Sequence, residues 1–140
     1  MKQIPVIFWT GTGNTQMMAD AVAEAINAAG AEAVVKNISE ITADEAAGYD
    51  ALALGCPAMG AEVLEECEFE PFFTELEGKL AGKKVAIFGS YGWGGSYMQD
   101  WEARVKDAGA TLVADGVLVL GAPDDEAMAQ LTEAGKLLAE

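Results

Sequence analysis

Five short apolar runs alternate with helical stretches along the 140 residues of this chain, and this alternation restricts the possible folds more than any other feature. The runs are Pro5–Trp9, Ala33–Asn37, Ala51–Gly55, Lys84–Gly89 and Thr111–Leu120. Nearly every position in them is apolar, which is typical of strands that are buried on both faces. Strand followed by helix, five times over, predicts one doubly wound α/β domain over residues 1–140, in which helices cover both faces of a parallel sheet.

The helical stretches carry recognisable end signals. The first helix is expected over residues 14–29 and stops at Gly30. The start signals of the later helices are Thr42 with Glu45, Pro71 before residues 72–80, Ser96 with Gln99, and Pro123 beside Asp124. Pro5 has no amide hydrogen, so we expect it at or before the start of the first strand. In such a sheet the ligand binds beyond the carboxyl ends of the strands, so the loops that follow them are the candidate site.

The composition limits which metal, cofactor and acid–base chemistry the chain can support. The chain has no histidine, and its two cysteines, Cys56 and Cys67, form no CxxC pair, so zinc, haem and histidine acid–base chemistry are poorly supported. Free thiols in a reducing compartment are the simpler interpretation. The start MKQIPVIFW lacks a cleavage-site pattern, and no apolar run is long enough for a membrane span, so a cytoplasmic location is expected.

The net charge of −15 bears on the choice of partners. Nucleic acids and anionic membranes are themselves polyanions, so we expect neither as a partner. The charge favours attraction to proteins with basic patches, although acidity that serves only solubility would look the same in a sequence.

The loop TGTGNT, Thr10 to Thr15, follows the first strand and precedes the first helix. Amides of a tight turn and of a helix N-terminus converge on an anion there. The loop lacks the lysine of a Walker A motif, and Gln16 stands where a dinucleotide-binding loop carries its third glycine. A phosphate monoester and a structural turn without ligand remain as alternatives.

Two further loops follow the third and fourth strands. The first reads GCPAMGAE and presents Met59 and Glu62; the second reads GSYGWGG and surrounds Trp93 with glycines. A tryptophan among glycines has no core to join, so Trp93 is expected at the surface, where it can stack on a flat ligand. Incidental surface packing is the alternative for Met59 and Trp93, whereas Trp9 and Trp101 are expected in the core. A planar ligand with a phosphate tail, such as FMN, fits the three loops together.

The stretches FWTGTGNT, GCPAMGAEVLEECEFEPFF and GKKVAIFGSYGWG, in this order and spacing, closely resemble the flavodoxins of the short-chain type. The resemblance extends over the whole chain, and VADGVLVLG shows no long insertion in the fifth strand. It implies a five-stranded sheet of order 2-1-3-4-5. It also implies a low-potential one-electron carrier with non-covalent FMN that shuttles between semiquinone and hydroquinone, and not an enzyme.

The resemblance also implies a site. Thr10, Gly11, Thr12, Gly13, Asn14 and Thr15, with Ser90, would bind the phosphate, and Met59 and Trp93 would cover the two faces of the ring. Tyr91 lies beside this contact, the Gly92–Gly94 backbone would serve the pyrimidine side, and Glu62 would accept from N3–H. The remaining contacts would come from the loop Pro57, Ala58, Gly60 and Ala61. The Gly60 peptide would flip on reduction, and glycine permits that conformation. Thr10 replaces the usual serine, and Ala61 replaces a residue that is often polar.

The resemblance gives the acidity a role. An acidic cluster, Glu62, Glu65, Glu66, Glu68 and Glu70, follows one flavin loop, and Asp124, Asp125 and Glu126 follow the fifth strand. Negative charge near the flavin lowers the potential of the second electron. The expected partners are reductases and ferredoxin-dependent enzymes with basic docking patches, and the protein is expected to be a monomer.

Three alternative functions share parts of this pattern. An FMN-dependent quinone or NAD(P)H oxidoreductase would need space for a second substrate over the ring. A receiver domain would need an acidic pair after the first strand and an aspartate after the third, where this chain has Trp-Thr-Gly and Cys-Pro-Ala. A P-loop phosphotransferase would need the missing lysine.

Overall fold

The computed structural model describes residues 3–9, 13–56, 69–91, 96–114, 116–120 and 124–139; for residues 14, 90, 91, 96, 97 and 120 it describes the backbone only. The strands are β1 Gln3–Phe8, β2 Glu32–Asn37, β3 Ala51–Gly55, β4 Lys84–Tyr91, β5 Thr111–Leu112 and β6 Val117–Leu120. The helices are α1 Asn14–Ala28, α2 Ala43–Ala46, α3 Phe69–Glu77, α4 Ser96–Asp107 and α5 Asp125–Ala139, with a 3-10 turn at Ile38–Glu40.

The strands form a parallel sheet in the order β2-β1-β3-β4-β5, with β6 also paired to β4. This confirms the doubly wound fold and the strand order. Alternate residues of a strand point to opposite faces, and the core follows that rule. Val6 and Phe8 lie in the cluster that α1 and α5 cover, whereas Ile7 lies in the cluster that α3 and α4 cover. The sheet is therefore buried on both sides, which explains the near-continuous apolar runs.

The fifth strand departs from the sequence prediction. Residues Thr111–Leu120 were expected as one strand, but the structure divides them into β5 and β6, which pair with different parts of β4. Between them the Gly116 amide donates to Oε2 of Glu102 on α4 at 2.7 Å. Gly116 also lies so close to α4 that a Cβ there would be 2.9 Å from Cγ of Met98. The Gly116 amide thus donates to a side chain of the neighbouring helix and not to a neighbouring strand, as it would in a continuous strand.

Pro5 also lies elsewhere than predicted. It is the third residue of β1, where it pairs with Val34 of β2, although we expected it at the strand's start. The pairing of β1 with β3 begins only at Val6. At Pro5 the strand therefore has a neighbour on one side only, and it tolerates a residue without an amide hydrogen.

The helix ends are predicted in part. Gly30 follows α1 at φ +94°, and the Thr42–Glu45 capping box is present, with distances of 3.1 and 3.2 Å between each backbone amide nitrogen and the side-chain oxygen that caps it. The helix expected over residues 72–80 instead spans Phe69–Glu77, with Pro71 in its first turn, where its missing amide costs nothing. Over the described part of the chain, no helix combines the length and apolarity that a membrane crossing requires.

Candidate functional site

The ends of β1 and β3 lie side by side, next to Phe88 of β4, which continues to Tyr91. Phe8 of β1 pairs with Gly55 of β3, and Gly55 pairs with Phe88 of β4. The amide of Trp9 donates to the Gly55 carbonyl at 3.0 Å, and the amide of Cys56 donates to the Phe88 carbonyl at 3.1 Å. The segments that follow β1, β3 and β4 therefore all leave the same edge of the sheet, which we call the carboxyl edge.

The close packing of β3 against β4 at this edge depends on a glycine. A Cβ at Gly55 would lie 2.6 Å from Cζ of the Phe88 ring, which is closer than real side chains approach. Cys56, the next residue, is buried; Cys67 lies outside the described residues. Trp101 is buried as predicted, whereas Trp9, which we also expected in the core, is only partly buried.

The N-terminus of α1 lies at the carboxyl edge and is suited to an anion. Gly13 caps the helix in the left-handed conformation at φ +93°, and its carbonyl accepts from the Met17 amide at 3.1 Å. Glycine brings no capping side chain, and no acidic residue lies in the first turn. The amides of that turn and the helix dipole therefore present positive potential without a carboxylate to cancel it.

Thr15, in the same turn, is 1% exposed and is the polar residue that the described part of the chain buries most fully. A buried hydroxyl needs a hydrogen-bond partner, and burial makes such bonds stronger than in water. Gly13, the Asn14 backbone and the buried Thr15 thus form the start of α1, in the segment for which the sequence predicts a phosphate site.

Ser90 and Tyr91 lie in β4 and not in the loop after it, where the sequence prediction placed them. The strand is two residues longer than expected because β6 pairs with it there: Ser90 faces Val119 and Tyr91 faces Leu120. The GSYGWGG segment therefore leaves the sheet only after Tyr91.

The other predicted site residues lie outside the described residues. They are Thr10, Gly11, Thr12, Pro57, Ala58, Met59, Gly60, Ala61, Glu62, Gly92, Trp93 and Gly94. The described part of the chain fixes what flanks them: α3 directly follows residues 57–68, and α4 directly follows residues 92–95.

An ion cluster joins α3 to α4, and sequence reasoning missed it. Arg104 donates through Nη1 and Nη2 to the two carboxylate oxygens of Glu70, at 2.7 and 2.9 Å. Its Nε and Nη2 donate to Glu77, both at 3.1 Å. We call Arg104, Glu70 and Glu77 the Arg104 clamp. Its one available signal was the spacing of Glu70 and Glu77, seven residues apart and hence on one face of α3.

The clamp includes one member of the acidic cluster that the sequence suggested. The Arg104 guanidinium hydrogen-bonds Glu70 and holds its pKa below the usual value. Burial acts in the opposite direction and is outweighed, and Thr74 adds a hydroxyl donor at 2.7 Å. The paired carboxylates in turn raise the pKa of Arg104. Asp124, Asp125 and Glu126 are exposed.

Comparisons with known proteins agree on one family. A family model described as Flavodoxin matches residues 6–135. The flavodoxin of Clostridium beijerinckii is 47% identical over 135 residues, which covers 96% of this chain and 97% of that protein. The flavodoxin of Megasphaera elsdenii is 46% identical over 116 residues, 82% of this chain and 85% of that protein. The solution structure of the two-electron reduced Megasphaera elsdenii flavodoxin has a TM-score of 0.89 at 43% identity, with coverage of 97% and 98%.

Proposed function

We propose a cofactor site and a class of partner for this chain, which belongs to the flavodoxin family. Flavodoxins are FMN-binding electron carriers that work with redox partners, so this chain is an electron-transfer protein and not an enzyme. The alternative, a quinone or NAD(P)H oxidoreductase on the same fold, is not favoured.

The residues at the carboxyl edge fit the phosphate end of FMN. Gly13 caps α1 without a side chain, Thr15 provides a buried hydroxyl, and the first turn has no acidic residue. This arrangement is the observation that supports the proposal most. It also explains why the loop can lack the lysine of a Walker A motif. A phosphate that is bound and not transferred needs amides and hydroxyls as hydrogen-bond donors, but no group to stabilise a leaving phosphoryl.

The proposed binding residues come from three segments. For the phosphate they are Thr10, Gly11, Thr12, Gly13, Asn14, Thr15 and Ser90; for the ring they are Pro57, Ala58, Met59, Gly60, Ala61, Glu62, Tyr91, Gly92, Trp93 and Gly94. Bound FMN supplies the one-electron redox chemistry. The chain orients it, with Met59 and Trp93 on the ring faces, Glu62 as hydrogen-bond acceptor for N3–H, and the Gly60 carbonyl as hydrogen-bond acceptor for N5–H.

We propose that the working couple is the lower of the two one-electron couples of FMN. The net charge of −15 makes the addition of negative charge to the ring unfavourable and so lowers the potential at which the second electron is added. The proposed partners are reductases and ferredoxin-dependent enzymes that dock through basic patches. We further propose that residues 1–140 form one FMN-binding domain and that the protein acts as a monomer in the cytoplasm.

Titration with FMN and with riboflavin tests the phosphate site, because riboflavin has the ring without the phosphate. Thr15→Val removes the hydroxyl and keeps the shape. It should raise the Kd for FMN roughly tenfold, the effect of losing one hydrogen bond to a charged group, and leave the Kd for riboflavin unchanged.

Thr132→Val is the matched control, because the Thr132 hydroxyl donates to the Met128 carbonyl in α5. It should change neither Kd. Equal affinity of the unaltered protein for the two flavins, or equal weakening of both by Thr15→Val, would contradict the phosphate assignment.

A further inference from the structure

Aromatic rings join α3 to α4. Phe69, the first residue of α3, is fully buried and meets the Trp101 ring of α4 edge-on, with centroids 5.5 Å apart at 85°. One turn later Phe73 also meets the Trp101 ring edge-on, with centroids 6.0 Å apart at 90°. Edge-to-face pairs of this kind favour one relative orientation of the two helices.

Arg104 lies over this aromatic patch and adds directional bonds to it. Its Cζ atom lies 4.7 Å from the centroid of the Phe73 ring, a cation–π distance. Its five donors are arranged in a rigid fork, and four contacts of that fork go to two carboxylates of α3. The side chains of Arg104 and Glu70 are only 29% and 35% exposed, so solvent screens this pair less than a fully exposed one.

The two carboxylates lie at opposite ends of α3. Glu70 belongs to its first turn, two residues after the segment 57–68, whereas Glu77 is its last residue. The bidentate bond to Glu70 therefore links α4 to the first turn of α3, where the chain leaves the segment 57–68. α4 itself begins directly after the segment 92–95.

We infer that Arg104 is a positioning residue for FMN. Through Glu70 it links the start of α3, which follows the segment 57–68, to α4, which follows the segment 92–95. The inference rests on the proposed function, in which residues 57–62 and 91–94 contact the ring. Arg104 itself touches no flavin in this account. It keeps the first turn of α3 in place, and a chain that spends less time in the competent arrangement binds its ligand proportionally more weakly.

Charge alone and the clamp predict opposite results for Glu70→Gln. Removing one negative charge near a dianionic phosphate should tighten FMN binding if only long-range electrostatics matter. If the clamp positions the site, the neutral amide loses the bidentate ion pair, and FMN binding should weaken roughly three- to tenfold. Glu77→Gln removes the same charge from the far end of α3 and should weaken FMN binding by less.

Arg104→Met and Lys79→Met form a second matched pair. Both remove one positive charge, but Lys79 pairs with Asp44 at the exposed surface, at 3.6 Å. We expect Arg104→Met to raise the Kd and the dissociation rate of FMN roughly tenfold, and Lys79→Met to change either by less than roughly twofold.

The measurement is dilution of the FMN-loaded proteins, with the recovery of flavin fluorescence giving the dissociation rate and the Kd, and circular dichroism showing that each variant remains folded. Tighter binding or no change in Glu70→Gln and Arg104→Met, with folding retained, would overturn the inference while leaving the function intact. If the unaltered protein takes up no FMN, it is the proposed function that fails. Loss of thermal stability without a change in the FMN dissociation rate would reduce the clamp to a structural contact.

Discussion

At the scale of single residues, two glycines shape the carboxyl edge for different reasons. Gly55 is required by packing, since a Cβ would overlap the Phe88 ring. Gly13 is required by its backbone: it has φ +93°, and a Cβ there would meet nothing within 4 Å. A substitution at Gly13 therefore acts through backbone strain at the proposed phosphate site and not through a clash.

Gly13→Ala and Gly82→Ala separate that strain from ligand binding. Gly82 also has a positive φ, +80°, and open space around it, but it lies between α3 and β4, away from the carboxyl edge. Each variant should lose about 1 kcal/mol of unfolding free energy, the usual cost of a left-handed alanine. Only Gly13→Ala should also raise the Kd for FMN. Urea unfolding and FMN titration measure the two effects, and equal Kd values for the two variants would argue against a phosphate at this turn.

At the scale of elements, the contacts of α4 account for two features that the sequence alone did not indicate. Glu102 takes the Gly116 amide and interrupts the fifth strand, and Arg104 joins α4 to α3. Both are contacts between residues distant in sequence, made by side chains whose periodicity is compatible with ordinary solvent exposure. Periodicity shows which face of a helix is apolar. It does not show which partner a carboxylate on the polar face will bind.

The pH dependence of stability should reveal the clamp. The pKa of Glu70 is lowered in the folded protein below its ordinary value of 4.5. The sign follows from linkage: such a group stabilises the fold above its unfolded pKa and loses that contribution as the pH falls through the lower, folded pKa. The groups that face it are Arg104 and Thr74, with Glu77 on the same guanidinium.

The difference in unfolding free energy between the unaltered protein and Glu70→Gln, both saturated with FMN, should therefore be constant from roughly pH 7 to pH 5 and shrink below that range. Urea unfolding across the range measures it, and the titration of the FMN phosphate cancels in the difference. A difference that grows on acidification would show that Glu70 does not stabilise the fold as a carboxylate.

At the scale of the whole molecule, the fold was predictable because it depends on local periodicity. Continuous apolar strands and amphipathic helices in strict alternation determine the layers, and the family motifs determine the strand order. The shared edge at which β1, β3 and β4 meet was predictable for the same reason, and the FMN site assigned to that edge stays a prediction. The extension of β4 through Ser90 and Tyr91 was not predictable, because it depends on pairing with β6, more than twenty-five residues away in the sequence.

The net charge of −15 also acts at this scale. Electron transfer to a redox protein of high isoelectric point should slow by roughly tenfold as the salt concentration rises from about 10 to about 200 mM, because screening removes the long-range attraction. An acidic acceptor should show the opposite trend. Stopped-flow measurement of the second-order rate constants checks both, and rates independent of salt with both acceptors would remove charge steering from the account.

The central claim is that this chain binds one FMN at the carboxyl edge and passes its electrons singly. Anaerobic reductive titration of the FMN-loaded protein, followed by its absorbance spectrum, tests it most directly. The account predicts one FMN per chain and two separate one-electron steps with distinct spectra. A protein that takes up no FMN, or one that is reduced in a single two-electron step, would contradict it.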